Sequence, residues 1–220
     1  MAETPDVAQI ARELQDALAA RIDARDRAGA LELALRAVHD GRIGIADLYT
    51  LVLGPYLERI GSQWQHGTER VWQEHLVSHA VTTIVESLAA DVMRRAAETP
   101  RLGRRVLLAC PPKEQHELGA RMLADRFELA GWDTTFLGAD TPLAEIVGAA
   151  KATGADLVCL SVSTLYERVE LRRFIDTLRF ELPGCRIVVG GPAFAHDRDW
   201  PAEDLLDTAE LGLPGTPPGA

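Results

Sequence analysis

Apolar residues recur at helical spacing through roughly the first 95 residues, and they predict four helices. The first starts at Thr4-Pro5, the second ends at Gly41, the third runs from Ile45 to Ile60, and the fourth runs from Thr68 to Ala97. Pro55 predicts a kink in the third helix, and Thr68 is a suitable cap for the fourth. Because the connections are short, residues 4–98 are predicted to form a compact four-helix bundle.

From residue 105 the pattern changes to short apolar runs that alternate with helical segments, which is typical of a parallel α/β sheet. Strands are predicted near 105–110, 134–137, 157–161 and 186–189, with helices near 118–130, 142–153 and 168–181. Residues 102–211 are therefore predicted to form a flavodoxin-like (Rossmann-like) domain, with a last helix at about 201–211 and no fifth strand. Residues 212–220 are predicted to be a disordered tail. The fold class is α + α/β.

Composition narrows the classes of function. The chain has 220 residues, 47% of them hydrophobic, which is enough for two buried cores. A net charge of −10 argues against direct nucleic-acid binding and against a basic membrane patch. No apolar run approaches the roughly 18 residues of a membrane span, and the polar N-terminus lacks a signal sequence, so we expect a cytoplasmic protein. Cys110, Cys159 and Cys185 have no C-x-x-C neighbour, so a zinc site is not expected. Two of them lie in or beside strand-like apolar runs and are predicted to be core residues.

The candidate chemistry lies in the loops that follow the predicted strands. These loops carry Glu114, His116 and Gly119 after the first strand, Ser161 and Ser163 at the third, and Gly190-Gly191 at the fourth. A lone histidine in a loop is most often an ordinary polar residue. However, the carboxyl ends of parallel strands converge on one crevice, where ligands bind in such folds. A histidine held there is able to ligate a metal.

These motifs, taken in order, resemble the cobalamin-binding module found in methionine synthase, the mutases and the CarH-type light-sensing regulators. The resemblance covers about residues 102–192 and implies that His116 is the lower axial ligand of cobalt, with Glu114 orienting its ring. It also implies that Ser161, Ser163 and Gly190-Gly191 line the slot for the nucleotide tail. Glu in place of Asp at position 114 resembles the light-sensing branch, whereas Ser163 stands where that branch commonly has Thr.

A second motif lies in the helical half, where Trp64 is separated by nine residues from Glu74-His75. The ordinary interpretation is a bundle tryptophan with two surface polar residues. The spacing nevertheless resembles that of the CarH-type photoreceptors, which implies that Trp64 packs on the adenosyl group of adenosylcobalamin and that Glu74 holds it, with His75 beside them. An aromatic ring packs well on adenine, and a carboxylate accepts hydrogen bonds from adenine or ribose.

The upper ligand of cobalt after loss of the adenosyl group is left open by the sequence. In the light-sensing family the residue after the tryptophan is commonly a histidine that captures cobalt. Here Gln65 holds that position and His66 follows it. Either His66 takes this role or water or another ligand does.

The resemblance leads to a functional expectation. CarH-type repressors carry a DNA-binding domain ahead of the bundle, whereas this sequence starts at the bundle and resembles the stand-alone antirepressors of the AerR type. We therefore expect a non-enzymatic, light-sensing regulatory protein that binds adenosylcobalamin and acts through a protein partner such as a transcriptional regulator, with homo-oligomerisation left open. The alternative is a corrinoid protein that carries methyl groups between methyltransferases. A mutase subunit is a weaker alternative, because no substrate domain is recognisable.

Overall fold

The computed structural model describes residues 6–65, 70–163, 168–194 and 199–215. The chain divides into two compact units, one reaching Arg94 and one from Arg95 to Leu213, and Pro214 and Gly215 group with the first. From the sequence, the helical bundle was predicted to end at residue 98 and the α/β domain to begin at residue 102.

The first unit is helical. Its helices are α1 (Val7–Asp23), α2 (Arg27–His39), α3 (Ile45–Asp47), a π-helical segment (Leu48–Leu53), α4 (Gly54–Gln65) and α5 (Val71–Glu98). Because α3, the π-helical segment and α4 are continuous, the described residues of this unit form four helical rods, the number that was predicted. Asp6 caps α1 by accepting a hydrogen bond from the Ala8 N–H at 3.2 Å. The predicted start at Thr4-Pro5 and the predicted cap Thr68 lie outside the described residues.

The third rod differs from its prediction in two ways. A π-helical turn precedes Pro55, in which the Gly54 N–H donates to the carbonyl of Tyr49 five residues earlier. This wider turn suits a proline, which has no N–H to donate to the preceding turn. The rod also continues through Gly61, the predicted stop, to Gln65.

The helix α5 supplies much of the core of the first unit. Val81, Ile84, Val85 and Leu88 are all buried on it. By length and composition alone, α5 is also apolar enough to cross a membrane, so the expectation that no segment meets this standard was wrong. The core helix of a globular domain passes the same test.

The second unit is a parallel sheet with helices on both faces. Its elements are β1 (Arg105–Ala109), α6 (Leu118–Leu129), β2 (Asp133–Phe136), α7 (Leu143–Thr153), β3 (Leu157–Ser161), α8 (Arg168–Glu181) and β4 (Arg186–Gly190). The strand order is β2-β1-β3-β4. The buried strands β1 and β3 lie at the centre, as near-continuous apolar runs predict. The predicted fold class is confirmed, with strand and helix ends within about one residue.

The helix predicted at 201–211 was wrong. The structure has a short 3-10 helix at Ala202–Asp204, after which Leu205 forms a single parallel bridge with Val189 of β4. Leu205 packs with one apolar cluster of the sheet and Leu206 with the other, which requires extended backbone. Leu213 is only 4% exposed, so the predicted disordered tail does not begin at 212. Residues 216–220 lie outside the described part of the chain.

Candidate functional site

The sheet order places the loops after β1, β3 and β4 side by side at the carboxyl edge. Ser161 ends β3, is half-buried, and pairs in register with Gly190. The Val162 N–H then donates to the carbonyl of Gly190 at 2.9 Å. Gly191 has a φ of +107°, and a Cβ there would lie 2.5 Å from the carbonyl oxygen of Val162. Only glycine therefore allows the loops after β3 and β4 to pack this closely.

The carboxylate of Glu114 joins the loop after β1 to the loop after β3. Its Oε1 accepts a hydrogen bond from the His116 N–H at 2.8 Å and lies 2.7 Å from His116 Nδ1. Its Oε2 accepts from the Ser163 N–H at 2.7 Å and from the Ser163 hydroxyl at 2.9 Å. Glu114 is 1% exposed, so four hydrogen bonds hold a buried carboxylate between two loops that are 49 residues apart.

Glu114 also determines which nitrogen of His116 is available to a metal. Because the carboxylate only accepts, the ring proton lies on Nδ1 and the lone pair of a neutral imidazole is on Nε2. The His116 side chain is 64% exposed, so a ligand can reach it. A carboxylate bonded to the other ring nitrogen orients an imidazole and makes it a better metal ligand.

The charge of Glu114 is stabilised by its neighbours. Burial alone would raise its pKa, but hydrogen bonds from the backbone and side chains of Ser163 and His116 outweigh it and lower the pKa below the ordinary value. Burial raises the pKa of Cys110 to about 12, and the charges of Glu114 and Glu117 add to this effect. Near neutral pH the site therefore holds a carboxylate and a neutral thiol, and Cys110 is not a thiolate ligand.

The loop after β2 is part of the same edge, and sequence reasoning missed it. Glu117 accepts from the Ala139 N–H at 2.7 Å, and Asp140 accepts from the Lys113 N–H at 2.7 Å. Lys113 and Asp140 both have positive φ, of 72° and 49°. The signal available in the sequence was Gly138-Ala139-Asp140 directly after a strand, a typical turn composition. These contacts brace the loop that carries His116.

The residues predicted in the helical unit are described only in part. Trp64 lies in α4, but its side chain is not among the described ones, and His66 lies outside the described residues. Glu74, in the first turn of α5, accepts a hydrogen bond from the Ser78 hydroxyl at 2.5 Å and lies 3.5 Å from His75 Nε2. The roles predicted for these four residues stay predictions.

Metal chemistry at the carboxyl edge would depend on one imidazole. Within residues 6–65, 70–163, 168–194 and 199–215, no group of three or more His, Cys, Asp or Glu side chains could hold a metal ion. A single axial imidazole is what a protein contributes when a macrocycle supplies the other ligands, as in haem proteins. The donor set around His116 therefore fits a metal that arrives inside a macrocycle.

Gly119, near the start of α6, borders open space in which a metal-containing macrocycle would fit. It is exposed, and a Cβ added to it would meet no protein atom within 4 Å. We expect Gly119→Leu to weaken binding of a corrinoid about tenfold or more by filling this space, as measured by titration followed by absorption. The unfolding temperature should not fall, because leucine is a better helix former than glycine.

Gly148 on α7 provides the matched control, since it is also an exposed helical glycine with no atom within 4 Å of an added Cβ. Gly148→Leu should leave corrinoid affinity unchanged. Equal affinity of the two variants would show that no ligand lies against Gly119.

Known proteins support cobalamin binding by both halves of the chain. Residues 104–210 match a family described as the B12 binding domain, and residues 14–89 match a second family with the same description. The HTH-type transcriptional repressor CarH of Myxococcus xanthus is 36% identical over 145 residues, which cover 64% of this chain and 46% of the repressor. The chain thus spans less than half the length of that relative.

Corrinoid proteins of methanogens are also similar. Trimethylamine corrinoid protein 2 of Methanosarcina acetivorans is 23% identical over 146 residues, covering 64% of this chain and 67% of that protein. The structure of the Methanosarcina barkeri monomethylamine corrinoid protein matches with a TM-score of 0.71 and 21% identity, covering 89% of this chain and 91% of that one. This structural likeness confirms the fold, a helical region followed by a four-stranded parallel sheet with helices.

Proposed function

We propose, from the premise that the chain carries two B12 binding domains, that it is a regulatory protein which binds adenosylcobalamin and signals its photolysis. The observation that carries the proposal is the pair Glu114–His116, in which a buried carboxylate fixes an exposed imidazole at the carboxyl edge of the sheet. This pair would present Nε2 of His116 to the lower face of cobalt. Adenosylcobalamin supplies a cobalt–carbon bond that light breaks.

In this proposal the protein residues divide between the two faces of the corrin ring. Glu114 orients His116 on the lower side, while Ser161, Ser163 and Gly190-Gly191 border the nucleotide tail. On the upper side Trp64 would pack on the adenosyl group and Glu74 would hold it by hydrogen bonds, with His75 beside Glu74. After loss of the adenosyl group, His66, water or another ligand would bind cobalt in its place. These roles rest on the motif spacing in the sequence and, for the lower side, on the hydrogen bonds of Glu114.

The signal would be passed to a protein partner in the cytoplasm. The relative from Myxococcus xanthus is named a transcriptional repressor, which supports a regulatory output. A net charge of −10 disfavours direct contact with nucleic acid, so a transcriptional regulator is the partner that we propose. Release of the adenosyl group would change the surface that this partner binds, which is a switch driven by loss of a ligand.

A second function, carriage of methyl groups between methyltransferases, is favoured by the similarity to a trimethylamine corrinoid protein. The two functions require opposite exposure of the upper face of the corrin ring. A methyl carrier must leave cobalt open to partner enzymes, whereas a sensor of adenosylcobalamin encloses the adenosyl group with Trp64. Preferential binding of methylcobalamin over adenosylcobalamin would support the methyl carrier.

Illumination of the adenosylcobalamin complex tests the proposal. In the dark the bound cofactor should keep its absorption spectrum, and green light should change both the spectrum and the elution volume in size-exclusion chromatography. An unchanged absorption spectrum after illumination would show that the protein is not a photoreceptor.

The upper pocket is tested by two tryptophan variants. Trp64→Ala should weaken adenosylcobalamin binding about tenfold, since stacking on a base is worth roughly 1–3 kcal/mol, and should leave hydroxocobalamin binding unchanged. Trp72→Ala removes a tryptophan of α5 that is 49% exposed and should change neither affinity. Equal losses for both cofactors in Trp64→Ala would mean that Trp64 does not contact the adenosyl group.

A further inference from the structure

The segment at residues 199–213 takes the place of a fifth strand beside the Gly190-Gly191 loop. Leu205 bridges Val189 in parallel, and the Leu206 N–H donates to the carbonyl of Val189 at 2.8 Å. Leu205 packs with the apolar cluster on the α7 and α8 face of the sheet, and Leu206 packs with the cluster on the α6 face. This alternation is the side-chain pattern of a strand, although it lasts for only two residues.

Polar and aromatic contacts fix the segment to the rest of the unit. Asp204 is buried and forms an ion pair with Arg179 of α8. The ring centroid of Trp200 lies 5.1 Å from that of Phe194, which follows the Gly190-Gly191 loop. The guanidinium of Arg172 in α8 lies over the Trp200 ring, 5.1 Å from its centroid. The segment is therefore attached both to α8 and to the stretch that follows β4.

The contact that matters for a ligand is between Leu206 and Gly190. A Cβ built on Gly190 would lie 3.3 Å from both Cβ and Cδ2 of Leu206. Leu206 thus occupies the volume that a side chain at position 190 would take, and it is half-buried there. A ligand that packs along the backbone of Gly190 would therefore also contact the side chain of Leu206.

We infer that Leu206 is a positioning residue that forms one wall of the slot for the nucleotide tail of cobalamin. The inference rests on the proposed function, which assigns Gly190-Gly191 to the tail. Leu206 would act by apolar contact of its side chain with the tail, while its backbone N–H, which donates to Val189, holds that side chain beside Gly190. The rest of the corrinoid would not depend on it.

Comparison of cobalamin with cobinamide, the corrinoid that lacks the nucleotide tail, tests the inference. We expect Leu206→Ala to weaken cobalamin binding by the chain about tenfold and to leave cobinamide binding within about twofold, because only the tail loses an apolar contact. Leu206→Met should restore cobalamin affinity, since methionine replaces leucine with little loss of volume. Affinities are measured by absorption titration, together with unfolding temperatures.

Leu211→Ala is the matched control, because Leu211 is a partly buried leucine of the same segment and the same apolar cluster as Leu206. It should lower the unfolding temperature about as much as Leu206→Ala without changing affinity for either corrinoid. Unchanged cobalamin affinity in Leu206→Ala, or equal losses for cobalamin and cobinamide, would overturn the inference. Failure of the unmodified chain to bind either corrinoid would instead overturn the proposed function.

Discussion

Replacement of His116 by alanine should weaken cobalamin binding at least about 100-fold, since the outer partners of metal ligands alone account for about 10- to 100-fold. Glu114 accepts hydrogen bonds from the backbone N–H and from Nδ1 of His116, so Nε2 of the ring remains available to a metal. The variant should fold, because the side chain is 64% exposed and contributes little to the core. Absorption titration with hydroxocobalamin measures the loss.

The matched control is another exposed histidine that pairs with a carboxylate. His39 Nε2 lies 3.0 Å from Asp91 Oδ2, and its side chain is 52% exposed. His39→Ala should bind cobalamin as the unmodified chain does. If both variants bound equally well, cobalt would not be coordinated at position 116.

Glu114→Gln should lower both the stability of the second unit and its affinity for cobalamin. The amide has one acceptor oxygen and a donor group, so it cannot satisfy the four donors that meet the carboxylate. A buried donor left without an acceptor costs about 1–3 kcal/mol, so we expect a loss of roughly 2–3 kcal/mol in the free energy of unfolding. Cobalamin affinity should fall about 10- to 100-fold, because the ring of His116 is no longer held.

The same carboxylate gives this loss a pH dependence. The pKa of Glu114 is lowered in the folded state, so its contribution to stability is present above the pKa of an unfolded carboxyl, about 4.3, and is lost as pH falls through the folded value. The stability difference between the unmodified chain and Glu114→Gln should therefore shrink in acid. Denaturant unfolding at several pH values measures it.

Glu117→Gln serves as the comparison for Glu114→Gln, since Glu117 is an exposed carboxylate of the same loop that accepts one bond, from the Ala139 N–H. It should cost less than about 1 kcal/mol in the free energy of unfolding. A Glu114→Gln variant as stable as Glu117→Gln would contradict the role given to the buried carboxylate.

The fold could largely be predicted from periodicity, because both units follow simple patterns of burial. Strands β1 and β3 are apolar runs bounded by loops, and their predicted ends differ from the observed ones by at most one residue. The errors arose where tertiary contacts outweighed local preference. The π-helical turn before Pro55 was not predicted, and packing of Leu205 and Leu206 on opposite faces of the sheet replaced a predicted helix.

The candidate site could be predicted as a set of loops but not as a network. The spacing of Glu114, His116 and Gly119 located the loop, and the sheet order brought Ser163 beside it. That one carboxylate bonds both His116 and Ser163 depends on distances between loops, which no local pattern contains. Asp140 was missed because it accepts a hydrogen bond from the backbone N–H of Lys113. Such a bond does not depend on which side chain stands at position 113.

Coordination of cobalt by His116 is the claim on which the account depends, and electron paramagnetic resonance of the Co(II) form tests it most directly. The chain is labelled with nitrogen-15 histidine and loaded with unlabelled cobalamin, which is then reduced. We predict that each cobalt line is split into a doublet by one axial nitrogen-15, and that the doublet is lost in His116→Ala. A triplet from the nitrogen-14 base of cobalamin, unchanged by the label, would contradict the account.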